Sequence, residues 1–567
     1  MSSTKQINVA EYLYARLLQL GCDSLHGLPG DFNLLACDYV RSSGLNWVGS
    51  CNELNAAYAA DAYARVRGLG AIMTTFGVGE LSAVNGIAGS FAELAPVVHI
   101  VGTPTRTSQS QGAMLHHTLG NGDFRIFADM FSRITVAQAD LKDPATAPAE
   151  IDRVLRRCYT ETKPVYIELP VDMVTQTVDA TLLDTPIDVS MQRGDPDAES
   201  MVLGIILEKL YAARRPVFLV DGAAQRRRLM PSAEKLFEKA QIPVFVAPMG
   251  KGAIDESLPY FVGTYAGDGC NPEVKEALEA SDLIITLGNI KSDLNTAGFT
   301  YRFSKLNTID LHWDHCDFGY AHFSKVSYHS LLPRLTEAIE TSKLQSTATI
   351  IPNIPRATLP TNGGDAITHE WLWPRISSFL QSGDILVADT GTSYIGVWEM
   401  TLPKDVRVIT QILWSSIGYG IPAAQGAGLA AKDLGKGQRT ICFEGDGSLQ
   451  CTVQELATII RHELDVTMFV IENEGYTIER LVHLPADAHY NDIPQWQYHK
   501  LPEVLTPLAN KDKVKAWRIE SRAELDGLLS DRSFAEGKGL QFVEIHMDKL
   551  DAPRMLKEFG GRAAKAG

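Results

Sequence analysis

The run Thr440-Ile441-Cys442-Phe443, the turn Gly445-Asp446-Gly447-Ser448, the stretch Gln454 to His462 and the run Val466-Thr467-Met468-Phe469-Val470-Ile471 follow one another as strand, turn, helix and strand would. Apolar and β-branched residues favour the strands, glycines allow the sharp turn, and helix formers fill the middle. A βαβ unit of this kind keeps its strands parallel, which constrains the domain around it to a sheet flanked by helices. Asp446 and Asn473 then emerge side by side at the carboxyl ends of the strands, where open α/β sheets bind ligands. Taken alone, a Gly-Asp-Gly turn mostly satisfies backbone geometry. Coupled to a carboxylate, an amide oxygen at Asn473 and a loop carbonyl at Gly475, it suits Mg²⁺, a hard cation that shares its remaining positions with phosphates and water. The unit reads as a site for a diphosphate-bearing cofactor and its metal.

A second stretch repeats the order. Ile72-Met73-Thr74-Thr75-Phe76 leads into Gly77-Val78-Gly79, a helical stretch to Leu94, and Pro96-Val97-Val98-His99-Ile100. Because βαβ units recur in all α/β proteins, both coincidence and domain duplication account for the echo. Val78 stands where Asp446 stands, so only the C-terminal copy can hold the metal. If a cofactor lies between the copies, the N-terminal one must contribute ionisable groups instead.

At 567 residues the chain exceeds one core, and about 150 residues per domain gives roughly three or four domains. Residues 178–200, with Pro186 and Gly194-Asp195-Pro196, and 343–366, with Pro352, Pro355, Pro360 and Gly363-Gly364, read as linkers. They separate domains at 1–182, 195–345 and 365–567, each expected to be α/β with a mainly parallel sheet flanked by helices. No apolar stretch approaches the ~18 residues of a membrane span, so no membrane partner is expected. A net charge of −16 opposes binding to nucleic acid, and the basic run Arg226-Arg227-Arg228 reads as a solvated loop. Eight cysteines without CxxC spacing point to reduced thiols and a cytoplasmic location. Val9 to Leu20 reads as an amphipathic helix, not an export signal.

Further motifs carry a resemblance. Leu28-Pro29-Gly30-Asp31-Phe32-Asn33, Asn52-Glu53-Leu54-Asn55, Thr75-Phe76-Gly77-Val78-Gly79-Glu80, His116-His117-Thr118-Leu119-Gly120, Thr390-Gly391-Thr392-Ser393, Leu413-Trp414-Ser415-Ser416-Ile417-Gly418 and Gly475-Tyr476-Thr477-Ile478-Glu479 resemble the thiamin diphosphate-dependent 2-oxo acid decarboxylases. So does the spacing from Gly445-Asp446-Gly447 to Asn473. Where the family's signature has Asn-Asn this chain has Glu472-Asn473, which keeps the second, ligand-bearing Asn. The resemblance runs almost end to end. It implies a pyrimidine-binding N-terminal domain, a middle domain without cofactor, and a C-terminal domain that binds the diphosphate and Mg²⁺. It also implies a homotetramer, a dimer of dimers with active sites between subunits.

The family's site residues carry over by motif. Glu53 would hydrogen-bond the aminopyrimidine of the cofactor, in an apolar setting that raises its pKa. Ile417 would be the wedge that bends the cofactor, and Ser415 stands where the family commonly has Gly, acting through its backbone carbonyl. Thr390, Thr392, Ser416, Gly445, Gly447, Ser448, Tyr476, Thr477 and Ile478 complete the expected cofactor contacts, with Asp446, Asn473 and Gly475 on the metal. Asp31, His116, His117 and Glu479 match the groups to which the family assigns its proton transfers. Of the adjacent histidines, one is expected near the substrate and one held by a further hydrogen bond. A carboxylate beside a carboxylate substrate must be partly protonated, so a raised pKa is expected for an Asp31 and Glu479 cluster.

Tyr394, Ile478 and Val482 are expected to line the substrate pocket. Bulk at Tyr394 and the resemblance of Ile478 to pyruvate-specific members favour pyruvate, converted to acetaldehyde and CO₂. Tyr476, Asn491-Asp492-Ile493-Pro494 and the Asp551-Ala552-Pro553 region resemble the branched-chain and indolepyruvate members, and those substrates remain alternatives. A carboligating thiamin enzyme would lack the His-His pair. A non-catalytic paralogue would have lost Glu53, Asp446 or a proton-relay residue, and none is lost. Some family members carry a middle-domain cysteine implicated in substrate activation; the matching stretch, Val220-Asp221-Gly222-Ala223-Ala224, has none.

Overall fold

The computed structural model describes residues 6–356, 358–360, 364–483 and 485–558. Its N-terminal domain holds β1 (Gln6–Asn8), β2 (Ser24–Gly27), β3 (Asn46–Gly49), β4 (Gly70–Thr75), β5 (Val97–Thr103), β6 (Ala137–Asp140), β7 (Val165–Pro170) and β8 (Thr177–Asp179). Six of these form a parallel sheet in the order β3-β2-β4-β5-β7-β6, and β1 pairs with β8 antiparallel. Strands β4, β5 and β7 are buried along their whole length, which is why they read as continuous apolar runs and do not alternate.

The middle domain holds β9 (Pro216–Val220), β10 (Val244–Val246), β11 (Phe261–Thr264), β12 (Leu283–Leu287), β13 (Thr308–Leu311), β14 (His315–Phe318) and β15 (Ala321–Ser324). Their order is β11-β10-β9-β12-β13-β14-β15, parallel through β13 and antiparallel for the last two strands. The C-terminal domain holds β16 (Ile385–Ala388), β17 (Arg407–Ile409), β18 (Thr440–Gly445), β19 (Val466–Glu472), β20 (Val514–Ile519) and β21 (Leu540–His546). It forms a wholly parallel sheet, β17-β16-β18-β19-β21-β20.

The first and third domains therefore share one strand order, and the echo seen in the sequence maps onto equivalent places, β4 to β5 and β18 to β19. Equivalent helices join them. Glu53–Arg67, which follows β3, packs on Gly420–Leu434, which follows β17, so closely that a Cβ on Gly426 would lie 2.0 Å from the Ala59 carbonyl oxygen. Tyr419 Oη donates to Asp61 Oδ1 across this contact at 2.6 Å.

Two expectations change. The segment from 178, read as linker, begins inside β8, and Pro196 opens helix Pro196–Ala212 with Asp195 accepting from the Asp197 and Ala198 N–H groups. Arg226-Arg227-Arg228 is not solvated. Arg226 pairs with buried Glu93 at 2.5 Å, Arg227 lies 4.4 Å over the Trp313 ring, and Arg228 donates to the carbonyls of Gly68 and Tyr159. The run clasps the middle domain to the N-terminal one. A run of like charge reads as solvated only until the fold brings it acids, carbonyls and rings from distant parts of the chain.

Candidate active site

In both parallel sheets the strand order reverses direction between the first and third strands, β2 and β4 in one and β16 and β18 in the other, and such switch points open crevices at the strands' carboxyl ends. Each crevice holds one group of the expected site residues.

At the C-terminal switch point lies a cavity of about 300 Å³. The loop after β16 gives it Thr390 and Gly391, with Thr392, Tyr394 and Ile395 from the following helix; β18 gives it Gly445, and helix Asp446–Thr452 gives Asp446, Gly447 and Ser448. From the loop after β19 come Asn473, Gly475 and Tyr476, and from helix Thr477–Val482 come Thr477, Ile478, Glu479 and Val482. Ser415 and Ile417 form another wall. Ser415 has φ +51°, a conformation glycine adopts freely, and its hydroxyl donates to the carbonyls of Gln411 and Ile412. That accounts for a serine tolerated in a glycine's place. Ser416 is the one expected contact of this half that does not line the cavity; its Oγ instead lies 2.5 Å from Tyr58 Oη.

Asp446 is buried and accepts from the backbone N–H groups of Gly447, Asn473 and Gly475. Burial pushes its carboxyl up to about 7 against the pull of those three donors. Among the described residues no Lys, Arg, His or Cys lines the cavity, while Asp293, Asp446 and Glu479 do. A diphosphate here needs a cation to offset it, and the available donors are carboxylate, amide, hydroxyl and carbonyl oxygens, which suit Mg²⁺ and not a softer metal. Two further features fit such a group. Thr390 Oγ1 is buried without a hydrogen-bond partner, and Gly447 leaves open a space where a Cβ would meet the Tyr476 ring at 2.7 Å.

Gly475 has φ +115°, and a Cβ there would lie 2.2 Å from the Asn491 carbonyl oxygen. Fully buried Arg480 fastens this loop, donating to the carbonyls of Glu474 and Asn491 and to Asp492 Oδ1. Arg480 escaped the sequence reading because nothing local tells a buried clamp from a solvated arginine. So did Leu294, Ala297 and Gly298, which with Asp293 bring the middle domain into the cavity wall, and Met555 and Leu556 near the carboxyl end. The middle domain is thus not apart from the site. Asp221, in the cysteine-free stretch Val220 to Ala224, accepts from Ile290 N–H and Asn295 Nδ2 and so anchors the segment leading to that wall.

The N-terminal switch point holds the other group. His116 Nε2 lies 2.5 Å from Asp31 Oδ2 and His117 Nε2 lies 3.8 Å from Asp31 Oδ1, while the Phe32 ring stacks on His116 at 5.1 Å. Glu53, the first residue of its helix, is partly buried, which raises its pKa. A Cβ on Gly79 would lie 3.1 Å from Glu53 Oε1, so the metal-free turn Gly77-Val78-Gly79 makes room for this carboxylate. Asp31, Glu53, His116 and His117 do not line the C-terminal cavity. The expected cluster of Asp31 with Glu479 is therefore not assembled within one chain, because the two belong to different switch points.

The chain belongs to the thiamine pyrophosphate enzymes, in the branch of thiamin diphosphate-dependent 2-oxo acid decarboxylases. Family models described as the N-terminal TPP binding, central and C-terminal TPP binding domains of thiamine pyrophosphate enzymes match residues 7–123, 203–332 and 389–545. The chain is 47% identical over 553 residues to a pyruvate decarboxylase of Aspergillus fumigatus, covering 98% of this chain and 96% of that one. It is 43% identical over 552 residues to pyruvate decarboxylase isozyme 2 of Saccharomyces cerevisiae, covering 97% of each.

Proposed function

We propose that the chain catalyses the non-oxidative decarboxylation of pyruvate to acetaldehyde and CO₂. The observation that carries this reading is segment 473–482, which delivers both an oxygen donor, Asn473, and an acid, Glu479, to one cavity. The near full-length similarity to pyruvate decarboxylases supports the substrate.

Asp446, Asn473 and the Gly475 carbonyl would hold Mg²⁺, and Thr390 and Ser448 would offer hydroxyls to the diphosphate. Thiamin diphosphate, when bound, supplies a thiazolium ring that accepts the electron pair left as CO₂ departs. Proton movements fall to the chain. Glu53, with its raised pKa, retains a proton to share with a ring nitrogen. Asp31 and His116 exchange a proton along their short hydrogen bond, His117 lies beside them, and Glu479 serves the substrate from the facing wall. Tyr394, Ile478 and Val482 narrow the pocket, and one methylene more or less in such a pocket is worth only ~1–3 kcal/mol, so larger 2-oxo acids are disfavoured and not excluded.

The two groups of residues meet between copies of the chain, in an assembly we take to be a dimer of dimers. Exposed Val78, Val84, Leu413, Trp414 and Ile417 beside them form an apolar surface that a second copy would cover. A cytoplasmic setting agrees with eight free cysteines, and no helix among the described residues is long and apolar enough to cross a membrane.

The test is a coupled aldehyde assay with thiamin diphosphate and Mg²⁺ across pyruvate, 3-methyl-2-oxobutanoate, phenylpyruvate and indolepyruvate. Pyruvate is expected to give the highest kcat/KM. No CO₂ from any of them would overturn the decarboxylase reading, and a higher value for another acid would overturn the substrate.

A further inference from the structure

We propose that the edge hairpin of the middle domain carries a transition-metal site, with His315, Asp317 and His322 as ligands for a borderline divalent ion such as Zn²⁺. The site lies outside the catalytic cavity, on strands β14 and β15.

Register builds it. His315 and Asp317 are two apart on β14 and share a face, and antiparallel pairing sets His322 of β15 directly opposite Asp317. The same alternation turns Cys316 inward, where it is buried, so the outward donors are two imidazoles and a carboxylate. One ligand atom from each residue lies within 4.8 Å of the others. Asp317 Oδ1 is 2.7 Å from His322 Nδ1, and Asp317 Oδ2 is 4.0 Å from His315 Nε2. The second separation is beyond a hydrogen bond. Tetrahedral coordination at about 2.0–2.2 Å sets donors roughly 3.3–3.6 Å apart, so small side-chain rotations would bring the 2.7 Å and 4.0 Å pairs onto one ion.

Neighbouring groups orient the ligands. His315 Nδ1 donates to Asp314 Oδ1 at 2.7 Å, which leaves Nε2 as the lone-pair nitrogen facing the site, the arrangement that carboxylates impose on metal-binding histidines. The His312 ring stacks on His315 at 4.3 Å and 13°, fixing the ring plane. Two imidazoles and one carboxylate suit Zn²⁺, Cu²⁺ or Ni²⁺, whereas the all-oxygen cavity suits Mg²⁺, so the two sites do not compete for one metal. The ion would clip β15, the last strand of its sheet, to β14.

Holoenzyme freed of adventitious metal, held in excess Mg²⁺ and thiamin diphosphate, is titrated with Zn²⁺ by calorimetry. The wild type is expected to bind one equivalent more than His322→Ala, and Asp314→Asn to weaken that equivalent about tenfold. His116→Ala is the control, because Asp31, His116 and His117 also lie within 4.8 Å of one another, and it is expected to retain the hairpin equivalent. Unchanged aldehyde production reports that the hairpin variants are folded. Equal stoichiometry in wild type and His322→Ala, equal affinity in wild type and Asp314→Asn, or loss of all Zn²⁺ in His116→Ala, would each overturn the site.

Discussion

The carbonyl oxygen of His117 lies 2.1 Å from where a Cβ on Gly77 would sit, and Gly77 has φ +70°. The turn that in the C-terminal domain presents Asp446 is, in the N-terminal domain, the seat of the histidine loop. Gly77→Ala therefore displaces His117 and strains the turn. A shift of about 1 Å at a catalytic group costs on the order of 100-fold in rate, so kcat should fall by about that much. Thiamin diphosphate binding, followed by fluorescence titration, should fall less than kcat, because the metal and diphosphate residues lie in the other domain's cavity.

Glu479 shares the cavity with the metal-facing residues but is not one of them. In Glu479→Gln, steady-state kinetics should show kcat reduced about 10²- to 10⁴-fold, the usual contribution of a positioned acid or base. Cofactor affinity should stay near wild type. Loss of cofactor with turnover retained would contradict the role.

Glu53→Gln and Asp446→Asn each disable one group of residues. If the groups meet between chains, co-refolding the two inactive variants creates hybrids in which one site combines both intact halves. Recovered activity is expected, up to about a quarter of wild type by random pairing of two chains. No recovery would mean that each chain completes its own site.

Burial alone would raise the Glu93 carboxyl, yet Arg226 and Arg65 hold it below its usual range, and it also accepts from the Leu413 and Trp414 N–H groups. Glu93→Gln leaves the buried Arg226 guanidinium without its carboxylate, while Arg65 keeps Asp61 at 2.7 Å. Denaturant unfolding should show a loss of about 3–5 kcal/mol in the transition that includes the contact between the N-terminal and middle domains.

His546 hydrogen-bonds Glu472 at 2.7 Å and Glu544 at 2.8 Å, which raise its pKa to about 9. Its folded value lies above the unfolded value of about 6.5, so its stabilisation is complete below pH ~6.5 and lost as pH rises through about 9. The Tm advantage of wild type over His546→Gln should therefore shrink between pH ~6.5 and ~9. An advantage that grows over that range would contradict the assignment.

The sequence by itself determined much of the local chemistry. Strand runs, the Gly445-Asp446-Gly447 turn and the Asn473 loop are contiguous signals, and parallel strands bring such loops together at one sheet edge whatever the rest of the chain does. The repeat around Gly77 was legible for the same reason. Charge runs were not, since whether Arg226 meets water or Glu93 depends on how two domains pack.

Tertiary structure alone decided which residues share a crevice. It gave the middle domain a wall of the cavity through Asp293 and Leu294, turned Ser416 towards Tyr58, and set Arg480 as a buried clamp. It also parted Glu479 from Asp31. Motif matching assigns residues to a site but carries no distances, whereas each switch point gathers only the loops its own sheet supplies.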